Sequence, residues 1–198
     1  MASLIVDGKV LRMSKAKGLD QASRRMVLLE AAYKLFVAQI YTLCFHLLAS
    51  SSAAEEATAT VFVRFSRELP RRWDEARVIS RLRELAVGEA VERLFGNVAA
   101  HASKGPAARV RASLAPDKMI ATRATLAHQQ QAGLLDSSQL KELTAKLPDD
   151  LRVAFVLHDM EGLKDLDVAK HLRVEESDVR ALIKRARMEL RRLWLSQS

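Results

Sequence analysis

GLKDLDVAKHLRVEESDVRALIKRARMELRRLW, residues 162–194, is the stretch that decides the fold of the C-terminal part of this chain. A short periodic segment, about Lys164 to Leu172, is followed by a tight turn and a longer periodic segment. The inward-facing positions recur at the spacings expected of two packed helices: Val168, Leu172, Val174, Val179, Ile183 and Leu190. The pattern predicts a helix-turn-helix.

The second helix of this motif has a basic outer face. Its bases are Arg180, Lys184, Arg185, Arg187, Arg191 and Arg192, against the single acid Glu189. A polyanion is the natural partner of such a face, so the motif predicts DNA binding. The alternative is a basic face that is merely solvated on a structural helix.

Composition limits the class of protein. The chain has 198 residues and a net charge of +8, enough length for one large domain or two small ones. Residues 1–100 and 101–198 each carry +4, so a nucleic-acid role would be shared by both halves. Its one cysteine, Cys44, rules out an internal disulfide and fits a reducing cytoplasm.

No targeting or membrane-spanning segment is expected. Asp7 and Lys9 lie within the first ten residues, which is unlike a signal peptide. The most apolar run, Leu35 to Ala49, is interrupted by Gln39 and His46 and is too short to span a bilayer. The sequence therefore predicts a soluble, cytoplasmic protein with no membrane partner.

Upstream of the motif the pattern is helical after one exception. Asp7-Gly8 between two apolar triplets predicts a short β-hairpin within residues 1–19. A long helix is predicted over Asp20 to Leu48, with the apolar stripe Leu29, Tyr33, Phe36, Ile40, Leu43 and Leu47. Serines 50 to 52 end that helix and cap a second one, whose inner face is Val61, Phe62 and Phe65. A third helix, about Asp74 to Phe95, presents Ile79, Leu82, Leu85 and Leu94.

A change of character follows this three-helix bundle. His101 to Ala115 contains Gly105, Pro106 and several alanines with little apolar periodicity, which predicts an interdomain linker. A second unit begins near Ser137, a candidate N-cap for a helix over Gln139 to Lys146. Pro148 then heads a helix over Asp149 to Met160.

The segment from Leu147 to Leu193 resembles region four of the sigma-70 family, particularly the extracytoplasmic-function sigma factors. The matching features are Leu147-Pro148, Glu161-Gly162, the helix-turn-helix, and Arg185-Ala186-Arg187. Upstream, Ala54 to Phe65 is similar to the region-two helix that binds the polymerase clamp. The resemblance implies an all-α fold with an N-terminal extension (1–19), a region-two-like domain (20–99), a linker (100–136) and a region-four-like domain (137–198).

The C-terminal match departs from the family pattern at three points. Arg173 holds the turn position usually taken by glycine, so it must either adopt αL at a steric cost or reshape the turn. The recognition helix begins Glu175-Glu176-Ser177-Asp178, which suits the helix dipole but repels phosphates. Leu182 stands where relatives carry a polar or basic contact. The predicted DNA contacts are therefore Arg180, Lys184, Arg185 and Arg187.

The region-two resemblance implies further binding residues. Glu55 and Glu56 keep part of the acidic cluster that meets the polymerase clamp, and Thr60 stands where relatives have an acid. Phosphorylation of Thr60 would restore about −1.5 to −2 charges, although an inert surface threonine is the simpler interpretation. In the third helix, Arg77 and Arg81 are predicted to contact promoter DNA, together with Trp73 and Arg83 beside them. For Trp73, an equally good interpretation is a side chain that anchors the core.

Catalysis is not predicted. The histidines, at 46, 101, 128, 158 and 171, lack metal-ligand spacing, and His158-Asp159 at a helix end carries no signal. Cys44 lies on an apolar stripe where a buried thiol is inert. We therefore expect no metal, no cofactor and no enzyme activity.

Two functions remain open. The first is a sigma factor of the extracytoplasmic-function type that binds core RNA polymerase and promoter DNA and starts transcription. The second is a degenerate sigma-fold protein that binds polymerase or an anti-sigma factor without recognising promoters. The two-part layout favours the first, and the acidic start of the recognition helix favours the second.

Overall fold

A computed structural model describes residues 3–6, 9–12, 20–70, 73–96 and 137–196. Contacts divide the chain into two units, Met1–Ala90 and Val91–Ser198. The predicted linker, residues 100–136, lies outside the described residues, and the domain limits at 19, 99 and 136 stay predictions. In the part that is described, the fold is all-α apart from one hairpin.

Strands β1 (Ser3–Val6) and β2 (Lys9–Arg12) form this hairpin. They pair antiparallel, with Ser3 opposite Arg12 and Val6 opposite Lys9. The strands lie on either side of the Asp-Gly pair, where the sequence predicts the turn.

Helix α1 (Gln21–Leu48) begins and ends close to its predicted limits. Asp20 caps it, since the Ser23 N–H donates to Asp20 Oδ1 at 3.1 Å. Ala49 ends it in the left-handed conformation (φ 54°). Ser50 then caps helix α2 (Ser51–Arg67) by accepting from the Ala53 N–H at 3.3 Å, as the serine run predicts.

The buried face of α1 departs in part from the predicted stripe. Phe36, Ile40, Leu43 and Leu47 are buried, but Leu29 is half-buried and Tyr33 is 51% exposed. Leu28 and Ala32 are buried instead. The predicted stripe followed a strict seven-residue repeat, which drifts by about 20° per heptad around a straight helix. One end of that stripe therefore leaves the core.

Helix α1 is also long and apolar enough, by length and composition alone, to cross a membrane. The apolar run Leu35 to Ala49, predicted to be too short to span a bilayer, covers only the second half of this helix and its C-cap. A core helix of a soluble protein passes the same test. Nine residues of α1 between Leu28 and Leu48 are buried, as in a core helix, whereas residues 21–27 are exposed.

Helix α2 is followed by α3 (Glu75–Phe95), and the first unit ends within α3, at Ala90. Val61, Phe62 and Phe65 of α2 are buried as predicted. In α3, Leu82 is buried, whereas Ile79, Leu85 and Leu94 are only half-buried. The buried row is Val78, Leu82, Ala86 and Ala90. Its small side chains permit close packing, which a prediction based on the largest apolar residues overlooks.

The second unit contains helices α4 (Ser137–Ala145), α5 (Asp149–Phe155), α6 (Asp165–Leu172) and α7 (Glu176–Leu195). A π-helical turn, Val156–Met160, directly follows α5. In this turn the Glu161 N–H donates to the Val156 carbonyl, five residues earlier, at 2.9 Å. The predicted regular helix over Asp149 to Met160 therefore widens in its last turn.

Helices α6 and α7 form the predicted helix-turn-helix. Arg173 adopts αL (φ 55°, ψ 46°) at the end of α6, which resolves the two alternatives for the turn. This conformation costs a non-glycine residue about 1–2 kcal/mol. The Val174 N–H helps to close the turn by donating to the Ala169 carbonyl at 3.1 Å. The motif has a continuous core of Val168, Leu172, Val179, Leu182, Ile183, Ala186 and Leu190.

Candidate nucleic-acid interface

The outer face of α7 carries the predicted DNA contacts. Arg180, Lys184 and Arg187 recur at steps of four and three, so they share one face of the helix. The side chains of Arg180 and Arg187 are 67% and 56% exposed. Lys184 is also exposed, whereas Arg185 is half-buried at the edge of this face.

Arg180 is held by carboxylates from two helices. Its Nε donates to Asp165 Oδ2 at 2.9 Å, and its terminal nitrogen contacts Glu176 one turn earlier on α7. The hydrogen bond to Asp165 raises the pKa of Arg180 above its usual value. A DNA phosphate would therefore have to compete with two carboxylates for this guanidinium.

Arg187 makes a two-pronged ion pair with the π turn. Its Nε and terminal nitrogen donate to the two oxygens of Asp159 at 2.8 and 2.6 Å. Burial alone would raise the pKa of Asp159, but hydrogen bonds with Arg187 and His158 outweigh it and lower that pKa. This bidentate geometry is the stronger form of arginine–carboxylate pairing.

His158 connects these two ion pairs. Its Nδ1 is 2.6 Å from Asp159 Oδ1 and its Nε2 is 3.2 Å from Asp165 Oδ1. This role could not be predicted from the sequence because the two acids that contact His158 come from different elements. An acid at the start of α6, such as Asp165, is explained by its pairing with the helix dipole alone. The π-helical turn has no recognisable signature in this sequence.

Asp159 gives the second unit a pH-dependent contribution to stability. Because its pKa is lowered on folding from the ordinary 3.8, that contribution is present above pH 3.8 and is lost as pH falls through the lowered value. We expect Asp159→Asn to lower the melting temperature near neutral pH, with a deficit that shrinks below pH 3.8.

Thermal unfolding across an acid pH series measures this deficit. The exposed Asp167, which pairs with Lys170 at 3.2 Å, provides the matched control in Asp167→Asn. A deficit for Asp159→Asn that stays constant with pH would show that the lost contribution is not electrostatic.

The C-terminal part of the second unit is close to neutral. Residues 137–198 contain 12 Lys or Arg and 11 Asp or Glu, a net charge of +1. The predicted basic face of α7 is therefore balanced by acids on other elements, Asp159 and Asp165 among them. This balance could not be seen while α7 was considered alone.

Leu182 is a core residue and not a surface substitute for a contact. It is 0% exposed, so the expectation that it replaces a DNA-contacting side chain was wrong. The acids at the start of α7 lie at the surface, with Glu175 exposed and Glu176 and Asp178 half-buried. Glu176 is already paired with Arg180.

In the first unit, the predicted polymerase contacts lie on one helix. Glu55 and Glu56 are exposed on α2, while Ala54, Ala57 and Thr58 beside them are buried. Thr60 is half-buried, and its hydroxyl donates to the Glu56 carbonyl at 2.9 Å. The two acids are therefore accessible to a partner, whereas modification of Thr60 would first have to break this bond.

The predicted contacts of α3 are paired with acids. Arg77 is exposed and lies 3.3 Å from Asp74, and Arg81 bridges Glu68 and Glu84 at 2.7–2.8 Å. The hydrogen bond with Glu84 is the main cause that raises the pKa of Arg81, and the hydrogen bond with Glu68 is the second. Arg77 and Arg81 line one shallow groove. Trp73 is 9% exposed, so it serves as a core anchor in this unit.

A known protein family matches the C-terminal part of the chain. Residues 137–190 match the family described as Sigma-70, region 4, which confirms the resemblance noted for Leu147 to Leu193.

The comparisons over the whole chain are weaker. A solved structure, the sigma factor RpoE in complex with the anti-sigma factor NepR from Bartonella quintana, is 18% identical with a TM-score of 0.45. That match covers 82% of this chain and 93% of the other chain. No curated protein matches the sequence.

Proposed function

We propose that this chain, whose residues 137–190 match region 4 of the sigma-70 family, is a sigma factor of the extracytoplasmic-function type. In this role it binds core RNA polymerase, recognises promoter DNA and starts transcription in the cytoplasm. The observation that carries the proposal is the helix-turn-helix of α6 and α7, with Arg180, Lys184 and Arg187 on the outer face of its second helix.

The first unit supports the proposal through its exposed acids. Glu55 and Glu56 lie side by side on the outer surface of α2, where a basic surface of the polymerase can reach them. Arg77 and Arg81 on α3 are the candidate contacts to a second promoter element. A sigma factor needs both activities, since its polymerase-binding part must bring its DNA-binding part to the promoter.

One observation favours a second function. Arg180 and Arg187 are paired with acids of the same unit, and the net charge of residues 137–198 is only +1. Phosphate neutralisation supplies most of the non-specific affinity for DNA. A near-neutral module is therefore also suited to binding polymerase or an anti-sigma factor without recognising promoters.

Reconstitution with core RNA polymerase tests both proposals. We expect a stable complex on gel filtration that transcribes from a subset of genomic DNA fragments at defined start sites. A complex that forms but does not transcribe would select the second function. Absence of a complex would reject both.

Charge reversal on α2 tests the polymerase contact. We expect Glu55→Lys with Glu56→Lys to weaken binding to core polymerase by about tenfold or more, because like charges at an interface repel. Folding should be unaffected, since both side chains are exposed. Surface plasmon resonance with immobilised polymerase and circular dichroism measure the two quantities.

A control with the same change in net charge shows whether the effect depends on where the two acids are located. Glu30→Lys with Glu142→Lys reverses two exposed acids elsewhere, on α1 and α4. This control should bind polymerase nearly as the unaltered chain does. Equal losses in the two double variants would remove Glu55 and Glu56 as specific contacts.

A further inference from the structure

We propose that His158 is the positioning residue of the nucleic-acid interface. Its ring, held between Asp159 and Asp165, fixes the orientation of both Arg187 and Arg180. The inference rests on the proposed function only for the role of these arginines on DNA. The positioning itself is a property of the free protein.

The π turn places His158 at the junction of the helix-turn-helix. Turns of this type are inserted into α-helices frequently at functional sites, because they redirect side chains. Here the turn directs Asp159 to α7, where it meets Arg187, and His158 to α6, where it meets Asp165. One turn thus reaches both helices of the motif.

His158 lies between two carboxylates. Its Nδ1 is 2.6 Å from Asp159 Oδ1, within hydrogen-bond distance, and its Nε2 is 3.2 Å from Asp165 Oδ1, an ion-pair distance. An ionised carboxylate only accepts hydrogen bonds, so a ring nitrogen interacts favourably with it when that nitrogen carries a proton. A ring with a proton on each nitrogen is therefore the form that interacts favourably with both acids.

The charges alternate along the whole network. The order is Arg187, Asp159, His158, Asp165, Arg180 and Glu176. Asp159 on the turn and Asp165 on α6 are the charged groups that face His158, with Arg187 and Arg180 of α7 behind them. The side chains of the three central members are only 17–30% exposed, so their interactions are screened less than those of surface pairs.

The consequence is that the two arginines are coupled. Each guanidinium is oriented by a carboxylate that also contacts the ring of His158. A change at His158 must therefore disturb Arg180 and Arg187 together, although they are seven residues apart on α7.

Nuclear magnetic resonance of the full chain without DNA tests this coupling. The expected result is that the Nε–Hε signals of Arg180 and Arg187 shift together, over the same pH interval in which the ring nitrogens of His158 lose a proton. A purely structural histidine would not couple its titration to both arginines. Independent behaviour of the two signals, or a singly protonated ring at all pH values, would overturn the proposal.

Two substitutions extend the test. His158→Gln, which can donate only through its amide, should shift both arginine signals, and His158→Arg, which restores a cation with several donors, should return them toward their original positions. If both variants unfold, the pH titration of the unaltered chain still tests whether the two arginines are coupled. Failure of His158→Arg to restore either signal in a folded variant would count against the role of the charge.

Binding to a mixed-sequence DNA duplex separates this proposal from the proposed function. His158→Gln should lower affinity roughly threefold to tenfold, while Lys141→Gln on α4, which removes an equal charge elsewhere, should leave it nearly unchanged. If no variant binds DNA but the arginine signals remain coupled, the positioning role stands and DNA recognition fails. If His158→Gln and Lys141→Gln have equal effects on affinity, positioning for DNA is rejected.

Discussion

Replacing Arg180 and Lys184 together with alanine is expected to weaken binding of the chain to DNA by at least about tenfold. The slope of log affinity against log salt concentration should fall by about two, one unit for each lost phosphate contact. Both side chains are exposed on the outer face of the recognition helix, where a duplex in the usual helix-turn-helix orientation would meet them.

The ion pairs of Arg180 add a second cause to this loss. With Arg180 removed, Asp165 and Glu176 lose the cation that both of them contact. Their charges then repel phosphate directly. The variant therefore loses attraction and gains repulsion, so its affinity should fall further than the charge count alone predicts.

The opposite substitution should act in the opposite direction. Changing Glu175, Glu176 and Asp178 to Gln, Gln and Asn removes repulsion and releases Arg180 from one of its partners. Non-specific affinity should rise, at some cost in helix stability because acids in the first turn suit the helix dipole.

Anisotropy titrations with a mixed-sequence duplex at two salt concentrations measure these effects. The control is Lys141→Ala with Lys146→Ala, which changes the net charge equally at two exposed lysines outside α7. If the two double variants lose affinity equally, the outer face of α7 has no special role. If neither the original chain nor any variant binds, the promoter-binding function is rejected in favour of the interaction protein.

The sequence predicted the elements well because their signals are local. The serine cap at Ser50, the helix-turn-helix periodicity and the Asp-Gly pair each depend on a few adjacent residues. These features follow from backbone capping and side-chain periodicity, which a single chain segment determines. The same holds for the core positions Val179 and Ile183.

The parts that could not be predicted depend on contacts between elements. Asp159 and Asp165 neutralise arginines that are 28 and 15 residues away along the chain, and no local pattern reports such pairing. The role of His158 additionally depends on the π turn, whose extra residue cannot be recognised from the sequence here. The net positive charge of the outer face of α7 was therefore overestimated, although the basic residues on it were identified correctly.

Leu182 shows how a one-position error in a helical face changes a functional interpretation. Its position was assigned from the family pattern to the contact surface, yet it is 0% exposed and lies between Val179 and Ala186 in the core. A leucine at a contact position would weaken DNA binding, whereas a leucine in the core supports folding. The two interpretations predict opposite effects of truncating it.

We expect Leu182→Ala to lower the free energy of unfolding of the second unit by about 2–5 kcal/mol, the usual cost of a cavity at a buried leucine. Such a loss is a large fraction of the roughly 5–15 kcal/mol that stabilises a typical domain. Leu166→Ala is the matched control, because Leu166 lies on α6 of the same motif but is 54% exposed. The Leu166→Ala substitution should lower the free energy of unfolding by about 0.5 kcal/mol or less.

Urea unfolding followed by the fluorescence of Trp194 distinguishes these outcomes. Trp194 lies on α7 and reports the second unit, provided that Trp73 of the first unit is replaced by phenylalanine in every protein compared. A large loss of stability for Leu182→Ala, together with the small loss for Leu166→Ala, is the expected result. If the two losses were equal and Leu182→Ala instead changed only DNA affinity, Leu182 would belong to the contact surface. Its burial between the helices of the motif argues for the first outcome, because a side chain enclosed by α7 and its neighbours has no surface to offer to DNA.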